Sequence, residues 1–344
     1  MLSNERSHPW ERSGSLLAFP QGWQRPAKTE EWVYEQCLGE LPESVFSQLV
    51  CFPWATLIDL LRSNRQPKAG PYLDVLALAP PRTTLIRATV CQHIYALDML
   101  EWFQRLSITD LYWSHAVRDV RGVEGVRVHP FPLYPVRCFD NPDVDSHEVK
   151  SSSERKYLYS FIGAYDANLY LSPVRKWIHK LPVRSDAFVS GRNEWHYEKQ
   201  VYHQQIGGFK IADRDQKSHL QQSEEYSRVM ANSVFCLCPS GSGPNSIRLW
   251  EALGFGCIPV ILSDDLLLPG SRSDWNKAVI QVKETEIAVS QLPALLEDLA
   301  SQPELLKRMQ EAGHELWRLY GEQGPVTILS ELTQLGVVRD RVLS

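Results

Sequence analysis

The sequence predicts an α/β fold made of two Rossmann-like halves, each with a mainly parallel sheet. Short apolar, β-branched runs alternate with segments whose apolar residues recur at helical spacing. The alternation is interrupted by the polar segment 140–155 and then begins again, as expected for a linker between domains. With 344 residues, the chain is also longer than one hydrophobic core usually supports. A ligand of such a protein is expected between the halves, at the carboxyl ends of the strands.

Composition excludes several other classes of protein. Apolar residues make up 43% and charged residues 22% of the chain, as in ordinary globular proteins. The net charge of −5 argues against nucleic acid as a partner. No apolar run approaches the roughly 20 residues that cross a bilayer, and the polar N-terminus has no secretion signal. The seven cysteines are odd in number and lack zinc-type pairing, which is typical of reduced thiols. We therefore expect a cytoplasmic protein, with peripheral attachment to the inner face of a membrane left open and no oligomeric state indicated.

The first half begins after an N-terminal extension, residues 1–40, which is rich in proline, tryptophan and charge and is expected to be irregular. Residues 41–150 form the first Rossmann-like domain. Its predicted strands are SQLVCF (47–52), TTLIRATVCQH (83–93), ITDLYWSH (108–115) and one strand within GVRVHPFPLYP (125–135). Helical patterns at 53–63 and 95–106 separate them.

The second half, residues 151–323, repeats the pattern and ends in helices. Its predicted strands are KYLYSFIG (156–163), DAFVSG (186–191), VFCLCP (234–239), CIPVILS (257–263) and AVIQV (278–282). The segment 192–222 has little periodicity and is interpreted as an inserted or mobile stretch. A final amphipathic helix, 324–344, is expected to pack back on the first half.

One stretch, CPSGSGPNSIRLWEALGFGCIPVIL (238–262), carries the clearest chemistry. Its SGSGP turn joins a strand to a helix, so glycines allow close backbone approach and the helix N-terminus offers N–H groups. That combination binds phosphate. Asn245 or Ser246 could equally be a helix cap. The dehydrogenase fingerprint G-x-G-x-x-G is absent, because Ser246 stands where its third glycine would be.

Arg248 and Glu251 lie three residues apart, on one face of the predicted helix. An arginine can neutralise a diphosphate, and a carboxylate can accept hydrogen bonds from both hydroxyls of a ribose. The alternative is an intrahelical ion pair at the surface, which is common and contributes little. Spacing alone leaves both interpretations open.

A wider pattern resembles the exostosin family, glycosyltransferase family 47, from about residue 155 to residue 320. The resemblance is carried by the small-residue turn before S-x-R-x-x-E-A (246–252), the GCIPV strand (256–260) and the Leu-Pro pair at 268–269. It implies a GT-B fold, in which two Rossmann domains face each other across a cleft. The C-terminal domain, residues 151–323, would hold a sugar nucleotide, and the N-terminal domain, residues 41–150, would hold the acceptor. Animal members have a membrane anchor and often a second catalytic domain, so this chain looks like a short, soluble, microbial relative.

The resemblance also implies an activity and a donor site. The expected reaction is inverting, metal-independent hexosyl or pentosyl transfer from a nucleoside-diphosphate donor, UDP-linked, to a saccharide acceptor in surface glycan or polysaccharide synthesis. No cofactor is expected, and Asp264-Asp265 is interpreted as structural or donor-proximal. Ser240 departs from the family, since animal members often have arginine there, so the donor sugar stays open. The implied donor-binding residues are Arg175, Ser240, Gly241, Gly243, Asn245, Ser246, Arg248 and Glu251.

An inverting transfer needs a base that deprotonates the acceptor hydroxyl. In this fold the base would come from the first half, at the carboxyl end of a strand, where the sequence places His93 and His115. His115 is ranked first and His93 second, and Asp119 and Asp98 are the less favoured carboxylate alternatives. Each histidine could instead satisfy backbone groups of a loop. Two other functions remain: a non-catalytic carbohydrate- or nucleotide-binding assembly subunit, and a nicotinamide-dependent oxidoreductase, which the missing fingerprint disfavours.

Overall fold

The computed structural model describes residues 8–41, 43–44, 46–140, 151–192 and 195–330. The chain divides into two compact units, each of α/β class. The first unit consists of the residues up to 114, the segment 120–131 and the residues from 325 onward. The second unit consists of the segments 115–119 and 132–324. The predicted linker falls mainly on residues 141–150, which lie outside the described residues.

The first unit is built on a seven-stranded sheet in the order β1-β2-β3-β4-β5-β7-β6. The five strands from β2 to β5 and β7 are parallel, while β1 and β6 pair antiparallel at the two edges. Every residue of β3 and β4 is buried, because central parallel strands are covered on both faces. The strands are β1 (Glu11–Ser13), β2 (Leu16–Ala18), β3 (Ser47–Cys51), β4 (Ile86–Cys91), β5 (Asp110–Trp113), β6 (Gly122–Val123) and β7 (Val126–Pro130), and the helices are α1 (Thr29–Cys37), α2 (Trp54–Arg62), α3 (Gln66–Ala77) and α4 (Leu100–Arg105).

The expectation of an irregular N-terminal extension is wrong for its described part. Strand β2 pairs parallel with β3, all three of its residues are buried, and α1 follows it. Strands of three residues are too short to show a period in the sequence. Their pairing with β3 is a tertiary contact that local pattern does not report.

The second unit is built on five parallel strands in the order β12-β11-β10-β8-β9. Helices cover both faces: α8 and α9 bring Trp250 and Trp275 to one apolar cluster, and α6 and α11 bring Ile178 and Leu292 to the other. The strands are β8 (Tyr157–Ala164), β9 (Ala187–Arg192), β10 (Ser233–Pro239), β11 (Ile258–Leu262) and β12 (Ile280–Gln281), and the helices are α5 (Val136–Phe139), α6 (Val174–His179), α7 (Asp213–Ala231), α8 (Ile247–Gly254), α9 (Arg272–Ala278), α10 (Glu286–Ser290), α11 (Leu292–Ala300) and α12 (Pro303–Trp317).

The strand order reverses between β8 and β10. The chain goes from β8 outward to β9, then returns past β8 to β10, so the connections after β8 and β10 leave in opposite directions. Ligands of open parallel sheets bind in the crevice that such a reversal leaves at the carboxyl ends of the strands. The glycine-serine turn 240–244 follows β10 directly and therefore lies at this position.

The segment 192–222, interpreted as an inserted or mobile stretch, is largely helical in its described part. It contains a π-helix, Lys199–Ile206, and the first half of α7. None of the residues 213–222 is buried, so this half of the helix has no apolar stripe to reveal it.

The predicted fold class is confirmed: the protein is α/β, with two Rossmann-like halves that each contain a mainly parallel sheet. Residues 324–330 are helical, as expected for the last predicted helix, and the rest of that helix lies outside the described residues. In the described part of the chain, no helix is both long and apolar enough to cross a membrane.

Candidate functional site

Two arginine side chains converge at the end of β8, where Gly163 leaves room for them. A Cβ atom at Gly163 would lie 3.1 Å from Arg248 Nη2 and 3.4 Å from Arg175 Nη1. The pair therefore stands at the strand-order reversal, with one arginine from α6 and one from α8. Sequence reasoning predicted both arginines and missed the glycine between them.

Arg175 is buried and is held by backbone carbonyls. Its Nε donates to the carbonyl oxygen of Ser240 at 2.8 Å and its Nη1 to that of Ala164 at 3.2 Å. The guanidinium carbon lies 4.3 Å from the centre of the Tyr170 ring. Burial, together with the charge of Arg248, lowers the pKa of Arg175 to about 10. The side chain is thus a fixed, desolvated cation at physiological pH.

Arg248 is buried in the first turn of α8, and its guanidinium has unsatisfied donors. Nη2 donates to the carbonyl oxygen of Ile162, and the guanidinium carbon lies 4.6 Å from the centre of the Phe161 ring. Nε and Nη1 are buried and have no hydrogen-bond partner among the described residues. A buried cation with unpaired donors costs several kcal/mol on the order-of-magnitude scale. An anionic ligand would satisfy these donors with charge-assisted hydrogen bonds.

Glu251 is buried one turn further along α8 and bonds to two other elements. Its Oε1 accepts from the backbone N–H of Arg137 at 3.0 Å, and its Oε2 accepts from the Tyr226 hydroxyl at 2.8 Å. Burial raises the pKa of the Glu251 carboxyl, against the hydrogen bonds from Tyr226 and Arg137. A carboxylate offers about four acceptor positions, so two remain for a ligand. The alternative of a surface ion pair between Arg248 and Glu251 is wrong, because both are buried and bond elsewhere.

The turn before α8 leaves the helix N-terminus without a side-chain cap. Ser246 occupies the cap position, but its side chain makes no cap hydrogen bond. Asn245 is buried, and its Oδ1 accepts from Ser246 N–H at 2.9 Å and from the Trp250 indole at 3.0 Å. Asn245 therefore fixes the turn, and the capping alternative is not supported for either residue.

Gly241 allows a close approach between the turn and its neighbours. Gly241 N–H donates to the Gly243 carbonyl at 2.9 Å, and its own carbonyl accepts from Leu171 N–H at 2.9 Å. A Cβ at Gly241 would lie 3.3 Å from Arg175 Nη2. The turn thus packs its backbone directly against one of the two arginines.

Ser240 makes contacts that the sequence did not predict. Its hydroxyl donates to Glu284 Oε1, which also accepts from the Ser172 hydroxyl at 2.8 Å. Glu284 Oε2 accepts from Asp264 N–H at 3.0 Å. This bond connects Asp264 to the loop that contains Glu284. It fits the interpretation of Asp264 as a structural residue. No local signal marks Glu284, since it lies 44 residues after Ser240.

The candidate bases fall in different places. His115 is buried in the second unit, where its Nδ1 accepts from Asn245 N–H at 3.4 Å, a long bond. The expectation that His115 belongs to the first half is corrected, because 115–119 hydrogen-bonds to the loop after β11, through Arg118 N–H to Asp265 and Leu267 N–H to Ala116. His115 therefore reaches the turn that precedes α8.

His93 and Asp119 have different surroundings. His93 lies in the first unit, with Nε2 at 3.1 Å from Asp59 Oδ1 and Nδ1 accepting from Tyr95 N–H at 3.1 Å. Both ring nitrogens are engaged, which is the arrangement of a structural histidine. Asp119 is exposed. Among the described contacts of the three candidates, only His115 bonds to Asn245, the residue between the 240–244 turn and Ser246, the cap residue of α8.

No group of three or more histidine, cysteine or acidic side chains in the described part of the chain can hold a metal ion. The fold and the site define an α/β protein with a buried arginine pair and a glycine-serine turn at a strand-order reversal. The family profile described as Exostosin GT47 domain matches residues 103–299, more than half of the sequence. The chain belongs to the exostosin GT47 family of glycosyltransferases.

Individual relatives cover parts of the chain. The Exostosin-1 homolog of Caenorhabditis elegans is 30% identical over 217 residues, which cover 62% of this chain and 49% of the relative. The probable glucuronosyltransferase GUT1 of Oryza sativa subsp. japonica is 42% identical over 86 residues, covering 25% of this chain and 20% of the relative. The chain thus spans half or less of the length of these relatives.

Solved structures with similar folds include two glycosyltransferases. The pneumococcal O-GlcNAc transferase GtfA, in complex with UDP and GlcNAc, has a TM-score of 0.40 and 14% identity, covering 85% of this chain and 57% of that one. An alpha-glucosyltransferase in complex with UDP and a 13-mer DNA has a TM-score of 0.46 and 12% identity, covering 93% of this chain and 89% of that one.

Proposed function

We propose that the protein transfers a sugar from a UDP-linked donor to a saccharide acceptor in glycan or polysaccharide synthesis, with inversion and without a metal ion. The observation that carries the proposal is the Arg248 guanidinium, which lies beside a second buried arginine. Its Nε and Nη1 are buried and have no hydrogen-bond partner in the part of the chain that the structure describes. Two desolvated cations at a strand-order reversal are complementary to a diphosphate.

The donor diphosphate would lie between Arg175 and Arg248, at the uncapped N-terminus of α8. When the bond to the sugar breaks, negative charge develops on the leaving diphosphate. Fixed guanidinium groups and helix N–H groups stabilise such charge, most strongly where water is excluded. These groups would perform the electrostatic task that a divalent cation performs in metal-dependent transferases.

His115 would act as the base. An inverting transfer requires a proton acceptor on the acceptor side of the anomeric carbon, within hydrogen-bond reach of the attacking hydroxyl. The 3.4 Å bond from Asn245 N–H to His115 Nδ1 is weak, so the approach of an acceptor hydroxyl can displace it. The lone pair of Nδ1 then becomes available for the proton.

A panel of sugar nucleotides, incubated with a saccharide mixture in excess EDTA, tests the function. We expect release of free UDP from at least one UDP-sugar, because arginines rather than a cation stabilise the leaving group. The concentration of released nucleotide is measured with a coupled assay. UDP binding is measured separately by titration calorimetry. An enzyme that is silenced by EDTA and rescued by manganese would contradict the metal-free mechanism. UDP binding without any transfer would support a non-catalytic binding subunit instead.

Glu251→Gln tests the ribose contact, and we expect about a tenfold loss of UDP affinity. In the wild type, each carboxylate oxygen accepts one protein hydrogen bond, from Arg137 N–H or from the Tyr226 hydroxyl, and each keeps one acceptor position for the ribose. Glutamine has a single acceptor oxygen, so fewer positions remain for the ribose hydroxyls. Titration with UDP and with 2′-deoxy-UDP gives the decisive comparison. The wild type should prefer UDP, and this preference should shrink in Glu251→Gln but persist in Glu311→Gln, an exposed control on α12. An unchanged preference in Glu251→Gln would remove Glu251 from the ribose site.

A further inference from the structure

A cavity of about 240 Å³ lies in the second unit, between the π-helix Lys199–Ile206 and the first half of α7. It begins at the carboxyl end of β9, the strand beside β8, so it lies at the same edge of the sheet as the arginine pair. Trp195, His196, Gln200 and His219 are among its lining residues. π-Helices are rare and occur frequently at functional sites.

Two atoms of the cavity wall are buried without a hydrogen-bond partner among the described residues. They are the side-chain oxygen Oε1 of Gln200 and the ring nitrogen Nε2 of His219. The oxygen requires a donor, while the ring nitrogen is satisfied by an acceptor or a donor, depending on its tautomer. A ligand with hydroxyl groups meets both needs, because a hydroxyl donates and accepts.

The charges of the wall are balanced. Arg192 forms an ion pair with Glu225, and Lys199 Nζ lies 3.1 Å from Asp215 Oδ1. Each cationic side chain of the lining is therefore matched by a carboxylate. This balance favours an uncharged ligand over a phosphate or a carboxylate, which would have to compete with these pairs.

The two histidines of the wall are neutral at physiological pH. Burial, with the nearby ring of His219 and the charges of Arg137 and Arg192, lowers the pKa of His196 to about 2. Burial and the charge of Arg137 also lower the pKa of His219. The rings stack with their centres 4.1 Å apart. The histidines thus add flat polar surface without adding charge.

Trp195 supplies an aromatic surface at the cavity. Its ring contacts the rings of Tyr197, with centres 5.6 Å apart, and Tyr202, with centres 6.1 Å apart. An indole combines a large apolar face with one polar N–H, so it packs against the C–H face of a sugar ring while the hydroxyls bond elsewhere.

The cavity is connected to the proposed donor site through one residue. His196 Nε2 lies 2.6 Å from Arg137 Nη2, and the backbone N–H of Arg137 donates to Glu251 Oε1 at 3.0 Å. A sugar in the cavity would therefore lie on the same side of the unit as the donor, next to a residue that holds the proposed ribose contact.

We propose that this cavity binds an uncharged sugar unit of the acceptor saccharide, through hydroxyl bonds to Gln200 and His219 and through packing on Trp195. The inference rests on the proposed function, because it assigns a subsite to that reaction's acceptor. The donor arginines do not line the cavity, so the two sites can be tested separately.

The test is binding of cellotetraose, xylotetraose and chitotetraose to the full chain, by saturation-transfer NMR and titration calorimetry. We expect at least one of them to bind the wild type, and Trp195→Ala and Gln200→Leu each to weaken that binding about tenfold or more. UDP affinity should stay within about twofold in both variants, which also shows that they fold. Gln221→Leu, an exposed control on α7, should bind like the wild type.

Several outcomes overturn the proposal. The proposal is wrong if none of the three oligosaccharides binds, or if both substitutions leave their binding unchanged. It is also wrong if the same variants lose UDP binding, which would make the cavity part of the nucleotide site. Arg248→Ala separates the two proposals. If Arg248→Ala binds oligosaccharide but not UDP, both sites are supported. If the wild type binds oligosaccharide but not UDP, only the proposed donor site is contradicted.

Discussion

We expect His115→Ala to lower turnover about 100-fold or more, the usual scale for removal of a general base. The affinity for UDP should stay within about twofold of the wild type. A base acts only in the transition state, so its loss reduces kcat without weakening the ground-state complex with the donor. The measurements are steady-state kinetics with the active sugar nucleotide and titration calorimetry with UDP. The result depends on the position of His115 beside the turn, where its Nδ1 meets Asn245 N–H.

His115→Asn is the matched control, because an asparagine side-chain oxygen can accept from Asn245 N–H but cannot take a proton. If His115 is the base, the asparagine variant is as slow as the alanine variant. Two results would show that His115 only positions the turn. One is recovery of turnover in His115→Asn, and the other is a loss of UDP affinity in His115→Ala that is restored in His115→Asn.

His93→Ala provides the second comparison. Both nitrogens of His93 are engaged, by Asp59 and by Tyr95 N–H, so this variant should lose thermal stability and keep near-normal turnover. A collapse of turnover in His93→Ala at unchanged Tm would reverse the ranking. Near-normal turnover in both histidine variants would assign the base to a carboxylate, with Asp119 next.

Arg248→Ala should weaken UDP binding about 100-fold or more, which corresponds to about 2.8 kcal/mol. Truncation of a buried charge that contacts its partner typically costs 2–5 kcal/mol on this order-of-magnitude scale. The Tm should be unchanged or higher, because the variant removes a buried cation with two donors that have no partner among the residues the structure describes. Calorimetry with UDP and thermal unfolding without ligand measure the two effects.

Two further variants sharpen the arginine test. Arg248→Lys keeps the charge but loses the planar fork, so it should recover only part of the affinity. Arg308→Ala, an exposed arginine on α12, should bind UDP like the wild type. Wild-type affinity in Arg248→Ala would remove Arg248 from the donor site and, with it, the observation on which the proposed function depends.

The sequence by itself determined the α/β class, most strands, the turn at 240–244, the helix that follows it and the family. These features are local. Strand and helix periods report the burial of each element along its own length, and the turn, Arg248 and Glu251 lie within a dozen residues of one another. The same locality explains the errors: β2 is too short to show a period, and the first half of α7 has no buried face.

Only the tertiary structure decided what the charged residues contact. Spacing allowed Arg248 and Glu251 to form a surface pair, and the fold instead buries both and directs them to Ile162, Arg137 and Tyr226. It also separated the histidines, with His115 in the second unit and His93 in the first. Sheet order and helix packing bring together residues that are far apart in the chain, and no local period carries that information. The sequence therefore predicted which arginines would matter. The packing of α8 against the sheet left two donors of Arg248 buried with no partner among the described residues.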